Sequence, residues 1–71
     1  MNREQILDAV RELASISFYE RQYGRLYKKL TDGSEHSEEL LQAMEEQSFR
    51  DTFDLIWYAG SHCQRELFSD E

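Results

Sequence analysis

The sequence predicts an all-α fold, a compact bundle of three to four short helices in a single domain over residues 1–71, on three observations. Proline is absent and the only glycines are Gly24, Gly33 and Gly60, so little breaks a helix and few residues suit tight hairpins. Apolar residues recur at helical spacing, in steps of three and four, along most of the chain. Hydrophobic residues make up 39% of the chain and aromatics 13%, well above a disordered acidic chain, which lacks the apolar surface to offset lost chain entropy.

The first helix is expected to begin after Asn2, a good N-cap, with Gln5 placed three residues on to complete a capping box. Ile6, Val10, Leu13 and Ala14 form its apolar stripe with Leu7 beside them, and Arg3, Asp8, Arg11 and Glu12 fill the other side. Ser15-Ile16-Ser17 interrupts, and Ser17 followed by Glu20 repeats the capping-box spacing. The second helix is therefore expected over residues 18–30, with Tyr19, Tyr23, Leu26, Tyr27 and Leu30 as its stripe and Gly33 as its stop in the left-handed conformation.

A third helix should start at Ser34 or Ser37, bury Leu40, Leu41 and Met44, and end near Gln47. Residues 48–51 read as a short connection, with Asp51 as the next N-cap. The fourth helix carries Phe53, Ile56, Trp57, Gly60 and Cys63, read as one buried face. Ser61 and Gln64 can cap a fresh turn, in which case Leu67 and Phe68 pack separately, and residues 69–71 are expected to fray. The expected core is Ile6, Val10, Leu13, Leu26, Leu30, Leu40, Leu41, Met44, Phe53, Ile56 and Trp57.

Charge is the feature that bears most on function. The formal net charge is −7, and it is unevenly spread. Residues 18–30 hold Arg21, Arg25, Lys28 and Lys29 against Glu20 alone, whereas residues 31–51 hold Asp32, Glu35, Glu38, Glu39, Glu45, Glu46 and Asp51 against Arg50 alone. Lys28 and Lys29 suit the negative end of their helix, and Glu35, Glu38 and Glu39 suit the positive start of theirs. Glu45 and Glu46 lie near a negative helix end and lack that structural reason.

Several function classes lose ground on the residues present. The single cysteine, Cys63, excludes an intramolecular disulfide and fits a reducing, intracellular setting. Residues 1–16 carry no signal-peptide pattern, and no run approaches the roughly 20 apolar residues of a membrane span, so the expectation is a soluble, cytoplasmic protein. Cys63 and its neighbour His62 point about 100° apart on a helix and do not form a nucleophile–base pair. His36, His62 and Cys63 show no metal-ligand spacing, and the glutamates lack the alternating ligands of a calcium loop. No catalytic residue, metal or cofactor is therefore expected. A chain this short leaves only ~3–5 kcal/mol of net core stability to support a strained, dry active site.

Two surfaces remain as candidates. Glu35, Glu38, Glu39, Glu45 and Glu46 form an acidic flank that reads either as a solvated helix face or as a row of carboxylates fitted to a basic groove in another protein. Tyr23, Arg25, Tyr27, Lys28 and Lys29 interleave basic and aromatic groups, which reads either as core tyrosines with a solvated rim or as a nucleic-acid or protein contact. The net charge opposes a nucleic-acid contact, because a phosphate polymer would be repelled by the rest of the surface.

Leu13-Ala14-Ser15 followed by Tyr23-Gly24-Arg25-Leu26-Tyr27-Lys28-Lys29-Leu30 is similar to a YGRLY-type segment in short uncharacterised helical proteins of phages and integrative elements of Gram-positive bacteria. Glu46-Gln47-Ser48-Phe49-Arg50-Asp51 through Asp54-Leu55-Ile56 resembles their second half. Together the segments span roughly half the chain; residues 18–22 are an insertion relative to that pattern, and the tail after Gly60 is extra. The resemblance implies a mobile-element context, in which small acidic helical proteins often block a host defence nuclease, as some anti-CRISPR proteins do. This is analogy of class and transfers no catalytic residue. The leading expectation is thus a non-enzymatic inhibitor that occupies the basic surface of a nucleic-acid-handling protein. The alternatives are a small DNA-binding regulator using residues 18–30 and a structural or adaptor bundle, including a self-associating one.

Overall fold

The computed structural model describes residues 1–68, and among these every regular element is helical. The elements run α1 (Arg3–Ala14), α2 (Glu20–Leu30), α3 (Glu35–Glu46), α4 (Thr52–His62) and α5 (Gln64–Phe68). The all-α expectation holds. The count of three to four becomes five because the fresh turn after Gly60 does form as a separate short helix. The expected frayed tail, residues 69–71, lies outside the described residues.

α1 begins as its sequence dictates. The Asn2 side chain accepts from the Gln5 amide and the Gln5 side chain accepts from the Asn2 amide, both at 2.9 Å, so two orphan donors are satisfied reciprocally. Ile6, Ala9, Val10 and Leu13 line its buried side. The break at Ser15–Ser17 is real, but the second capping box is not. Residues 16–19 form tight turns, and α2 starts at Glu20 behind Tyr19, which lies in the helical region and makes no side-chain cap. A capping serine needs extended backbone at the cap position, and the chain here turns instead.

α2 buries Tyr23, Leu26 and Leu30 and packs against α1, α3 and α5, with its contact on α1 the most extensive helix pairing in the molecule. The turn that follows needs a left-handed residue, and Gly33, with φ of 76°, supplies it without a Cβ clash. Ser34 then caps α3, its hydroxyl accepting from the Ser37 amide at 3.1 Å. Ser37 is thereby freed for another task. It is buried, and its hydroxyl donates to the Leu30 carbonyl at 2.6 Å, which satisfies an orphan carbonyl at the end of α2. Leu41 and Met44 are buried on α3, while Leu40, expected in the core, is half-buried.

The connection to α4 places Ser48 at φ of 52° and buries Phe49, whose carbonyl accepts from the Met1 ammonium at 2.9 Å. Asp51 caps α4 as expected, accepting from the Asp54 amide at 3.1 Å. The expected face of this helix is the one clear error of the core assignment. Leu55, Ala59 and the C-cap Cys63 point inward, while Phe53 and Trp57 are 80% and 71% exposed and Ile56 is half-buried. α4 is apolar on more than one side, so a 3.6-residue period fits two faces equally well. The inward choice goes to the smaller residues, Ala59 and Cys63.

The buried residues make one contiguous core, with α5 contributing Leu67. The radius of gyration is 10.8 Å, close to the roughly 11 Å expected for a globule of this length.

The rotation of α4 is directly testable. Leu55→Ala should cost ~2–5 kcal/mol, enough to unfold much of a domain this small, whereas Phe53→Ala and Trp57→Ala in dilute solution should stay within about 0.5 kcal/mol of wild type. Urea melts followed by circular dichroism measure all three. The reverse ranking would place the aromatic face inward.

Candidate functional site

The five acidic candidates share α3 but not its surroundings. The flank of α3 that faces α1 carries Glu38 and Glu45, and both are taken up by one cation. Arg3 donates from Nε to Glu45 at 2.6 Å, and from Nη2 and Nη1 to the two Glu38 oxygens at 2.8 and 3.2 Å. The forked geometry suits a guanidinium and not an ammonium. It raises the Arg3 pKa above its ordinary value and holds the Glu38 carboxyl below the usual range, chiefly through the hydrogen bonds themselves. Glu45 thus has a structural role that its place near a negative helix end does not suggest.

Glu35, Glu39 and Glu46 lie elsewhere. With Gln42 they follow one another at steps of four, three and four, and all four are exposed. At 1.5 Å of rise per residue they mark a stripe about 16 Å long on the outer side of α3. The acidic flank is therefore two structures, an internal clamp (Glu38, Glu45) and an open row (Glu35, Glu39, Glu46).

The basic aromatic candidates divide similarly. Tyr23 is buried, and burial pushes its hydroxyl pKa up, so it packs the core and is not offered to a partner. Tyr27 and Lys29 are half-buried and Lys28 is exposed. Arg25 reaches the Leu67 carbonyl at 3.5 Å, and neither it nor Arg21 is free. Beside them a shallow, open groove lies between the end of α1 and α2, floored by Ala14 and Gly24 and edged by Arg21 and Lys28.

Cys63 and Glu66 are buried. Cys63 is fully buried, and desolvation with a smaller contribution from Glu66 pushes its thiol up to about 12, far from a reactive thiolate. Glu66 is itself buried on α5, and its carboxylate meets His36 Nε2 of α3 at 2.6 Å. No group of three or more His, Cys, Asp or Glu side chains among the described residues is placed to hold a metal ion. No helix among them is long and apolar enough to cross a membrane.

One further surface is legible in the sequence only in part: Phe49, Trp57 and Tyr58 read there as aromatic anchors near the acidic flank, whereas Phe53 and Trp57 were also expected in the core. Phe53 and Trp57 stand out from α4. Beside them Phe49, Trp57, Tyr58 and His62 line a shallow cleft of about 220 Å³ with Asp54 at its edge, His62 stacked on Tyr58 at 4.6 Å between centroids. The signal available in the sequence is the breadth of the apolar surface on α4, wider than one buried stripe can use. Compared with known proteins, the chain matches no family model, no curated protein and no solved structure.

Two predictions follow from these environments. Glu38, Asp32 and Asp54 all have folded pKa values below their ordinary ones, each through hydrogen bonds to its carboxylate. Such groups stabilise the fold above the unfolded carboxylate value of ~4, and that stabilisation disappears as pH falls through the folded values. Acid unfolding followed by circular dichroism should therefore set in below about pH 4 and be shallower in Arg3→Ala, which loses the Glu38 share. An Arg3→Ala curve parallel to wild type would show that the clamp contributes nothing. Cys63, for its part, should react with a thiol reagent at least ~10-fold more slowly in the folded chain than in urea. Equal rates would place the thiol at the surface.

Proposed function

We propose that this chain is a non-enzymatic, acidic protein-binding module whose partner presents a basic surface of the kind that handles nucleic acid. The open row Glu35, Glu39 and Glu46 carries the reading. These three carboxylates stand exposed on one side of one helix, in a chain whose formal charge is already −7. Ordered anions at regular spacing on a rigid helix attract and orient a cationic groove, and the wider negative field speeds the encounter. The resemblance to short proteins of phages and integrative elements supports an inhibitory role against a host nucleic-acid-handling protein, acting in the cytoplasm. Binding through α3 needs neither a cofactor nor a covalent step.

The Arg3 clamp sharpens which residues act. Glu38 and Glu45 have a cation already, and drawing them to a partner would break an internal contact. Glu35, Glu39 and Glu46 are the contact residues of this reading, with Glu38 and Glu45 as the brace that fixes their helix to α1.

The test is capture from a bacterial host lysate on immobilised chain, eluted with a salt gradient. The captured protein should elute early, since exposed ion pairs weaken as the screening length falls from ~10 Å at 0.1 M to ~3 Å at 1 M. Reversal of the open row (Glu35→Lys, Glu39→Lys, Glu46→Lys) should reduce retention at least ~10-fold, with helical content unchanged. Retention that is flat in salt or survives the reversal would sink the proposal. Retardation of a DNA duplex by the wild-type chain at low salt would favour the basic groove on α2 instead.

A further inference from the structure

The shallow cleft where α3 ends and α4 passes is walled by rings. Phe49, Trp57, Tyr58 and His62 line it, and no lysine or arginine does. His62 already covers one face of Tyr58, whereas Trp57 is 71% exposed. The face of an aromatic ring carries negative charge density. It attracts a cation held within about 6 Å of its centroid, tryptophan most strongly.

The charges around these rings select the same sign of occupant. α3 terminates at the cleft, since its C-cap, Gln47, is one of the lining residues. A helix C-terminus carries about half a negative elementary charge, which a nearby cation stabilises. The last turn of α3 holds no basic residue and instead holds Glu45 and Glu46. Glu45 is committed to Arg3, but Glu46 is exposed and ends the open acidic row. Its charge is felt in the cleft: burial first, then Cys63 and Glu46, push the Tyr58 hydroxyl pKa up. Asp54, at the cleft edge, adds little, because Arg50 holds its carboxylate from both Nε and the backbone amide. The negative end of α3, the Glu46 carboxylate and the ring faces thus all favour a cation, and no Lys or Arg of the chain lies in the cleft.

Resting on the α3 reading proposed above, we infer that this cleft seats one arginine side chain of the basic partner, its guanidinium laid on the Trp57 ring at the Glu46 end of the acidic row. Arginine suits the seat better than lysine. Its planar guanidinium stacks on aromatic faces and is more weakly hydrated than an ammonium. Arginine and tryptophan are also among the side chains that dominate interface energetics. The row supplies attraction that salt screens, and the ring supplies a fixed position for one partner residue.

Titration with N-acetyl-arginine amide, a probe too short to span the row, tests the cleft apart from any partner. The neutral, nearly isosteric N-acetyl-citrulline amide and N-acetyl-lysine amide are the comparisons. Arginine should shift the Trp57 indole N–H resonance saturably, and its own δ-methylene protons should move upfield over the ring. Citrulline should bind at least ~5-fold more weakly, with lysine in between. Trp57→Leu, at an exposed position, should keep the helical spectrum and remove the upfield shift of the probe. Glu46→Gln should weaken arginine about 2-fold and leave citrulline unchanged. Citrulline that binds as tightly as arginine overturns the inference, as does an upfield shift that survives Trp57→Leu or an arginine titration that never saturates. Lysate capture separates the two readings. Retention that falls in Trp57→Leu supports the seat, and retention that is unchanged in Trp57→Leu but lost on reversal of the row overturns the seat alone. An arginine preference with no protein captured sinks the α3 reading alone.

Discussion

Everything in this fold leans on the buried side of α2. Tyr23, Leu26 and Leu30 are the surface on which α1, α3 and α5 all converge, and Leu26 and Leu30 are among the largest fully buried side chains. Each buried aliphatic of this kind stabilises by ~1.5–3 kcal/mol relative to exposure, a large share of what one small core supplies. The polar contacts around α2 protect that burial. Ser37 satisfies the carbonyl left open at the end of the helix, and Thr31 turns its hydroxyl back onto the Tyr27 carbonyl at 2.8 Å. No buried side-chain nitrogen or oxygen lacks a hydrogen-bond partner among the described residues. A core this small tolerates no orphaned donor, since one alone costs ~1–3 kcal/mol.

Local signals were legible in the sequence wherever a single residue type has a single physical use. Asn2 with Gln5, Gly33, Ser34 and Asp51 each do what their chemistry allows, and they locate three helix starts and one stop. The α1 and α2 stripes were legible for the same reason, since charged residues occupy most of the alternative faces. α4 was not. Asp54 is its only Asp, Glu, Lys or Arg, so no run of charge marks the solvent side, and tertiary packing decides which side turns inward. That packing takes in Leu55, Ala59 and Cys63 and leaves Phe53 and Trp57 outside. The open acidic row was legible as residues but not as a geometry, because the pairing of Glu38 and Glu45 with Arg3 spans 35 and 42 positions of sequence.

That pairing also changes how the charge of the chain should be understood. A formal count treats all carboxylates alike. The structure separates those paired with Arg3, which together keep a formal charge of −1, from the open row, which presents its full charge to a partner. Arg3, Glu38 and Glu45 cancel much of one another at close range, while Glu35, Glu39 and Glu46 do not share that cation. Mutating acidic residues by proximity in sequence would mix the two groups and confound fold with recognition.

The manner in which α4 is attached has a consequence for motion. α1 and α2 share an extensive seam, but α4 meets the rest of the molecule mainly through Leu55, Ala59, Cys63 and the Phe49 that precedes it. Cooperative units with little buried apolar surface open at lower free energy than the global unfolding reaction. Amide protons of α4 should then exchange with deuterated solvent before those of α1 and α2, by an opening that leaves the α1–α2 seam intact. Two of the exposed aromatic rings, Phe53 and Trp57, ride on this less extensively packed helix.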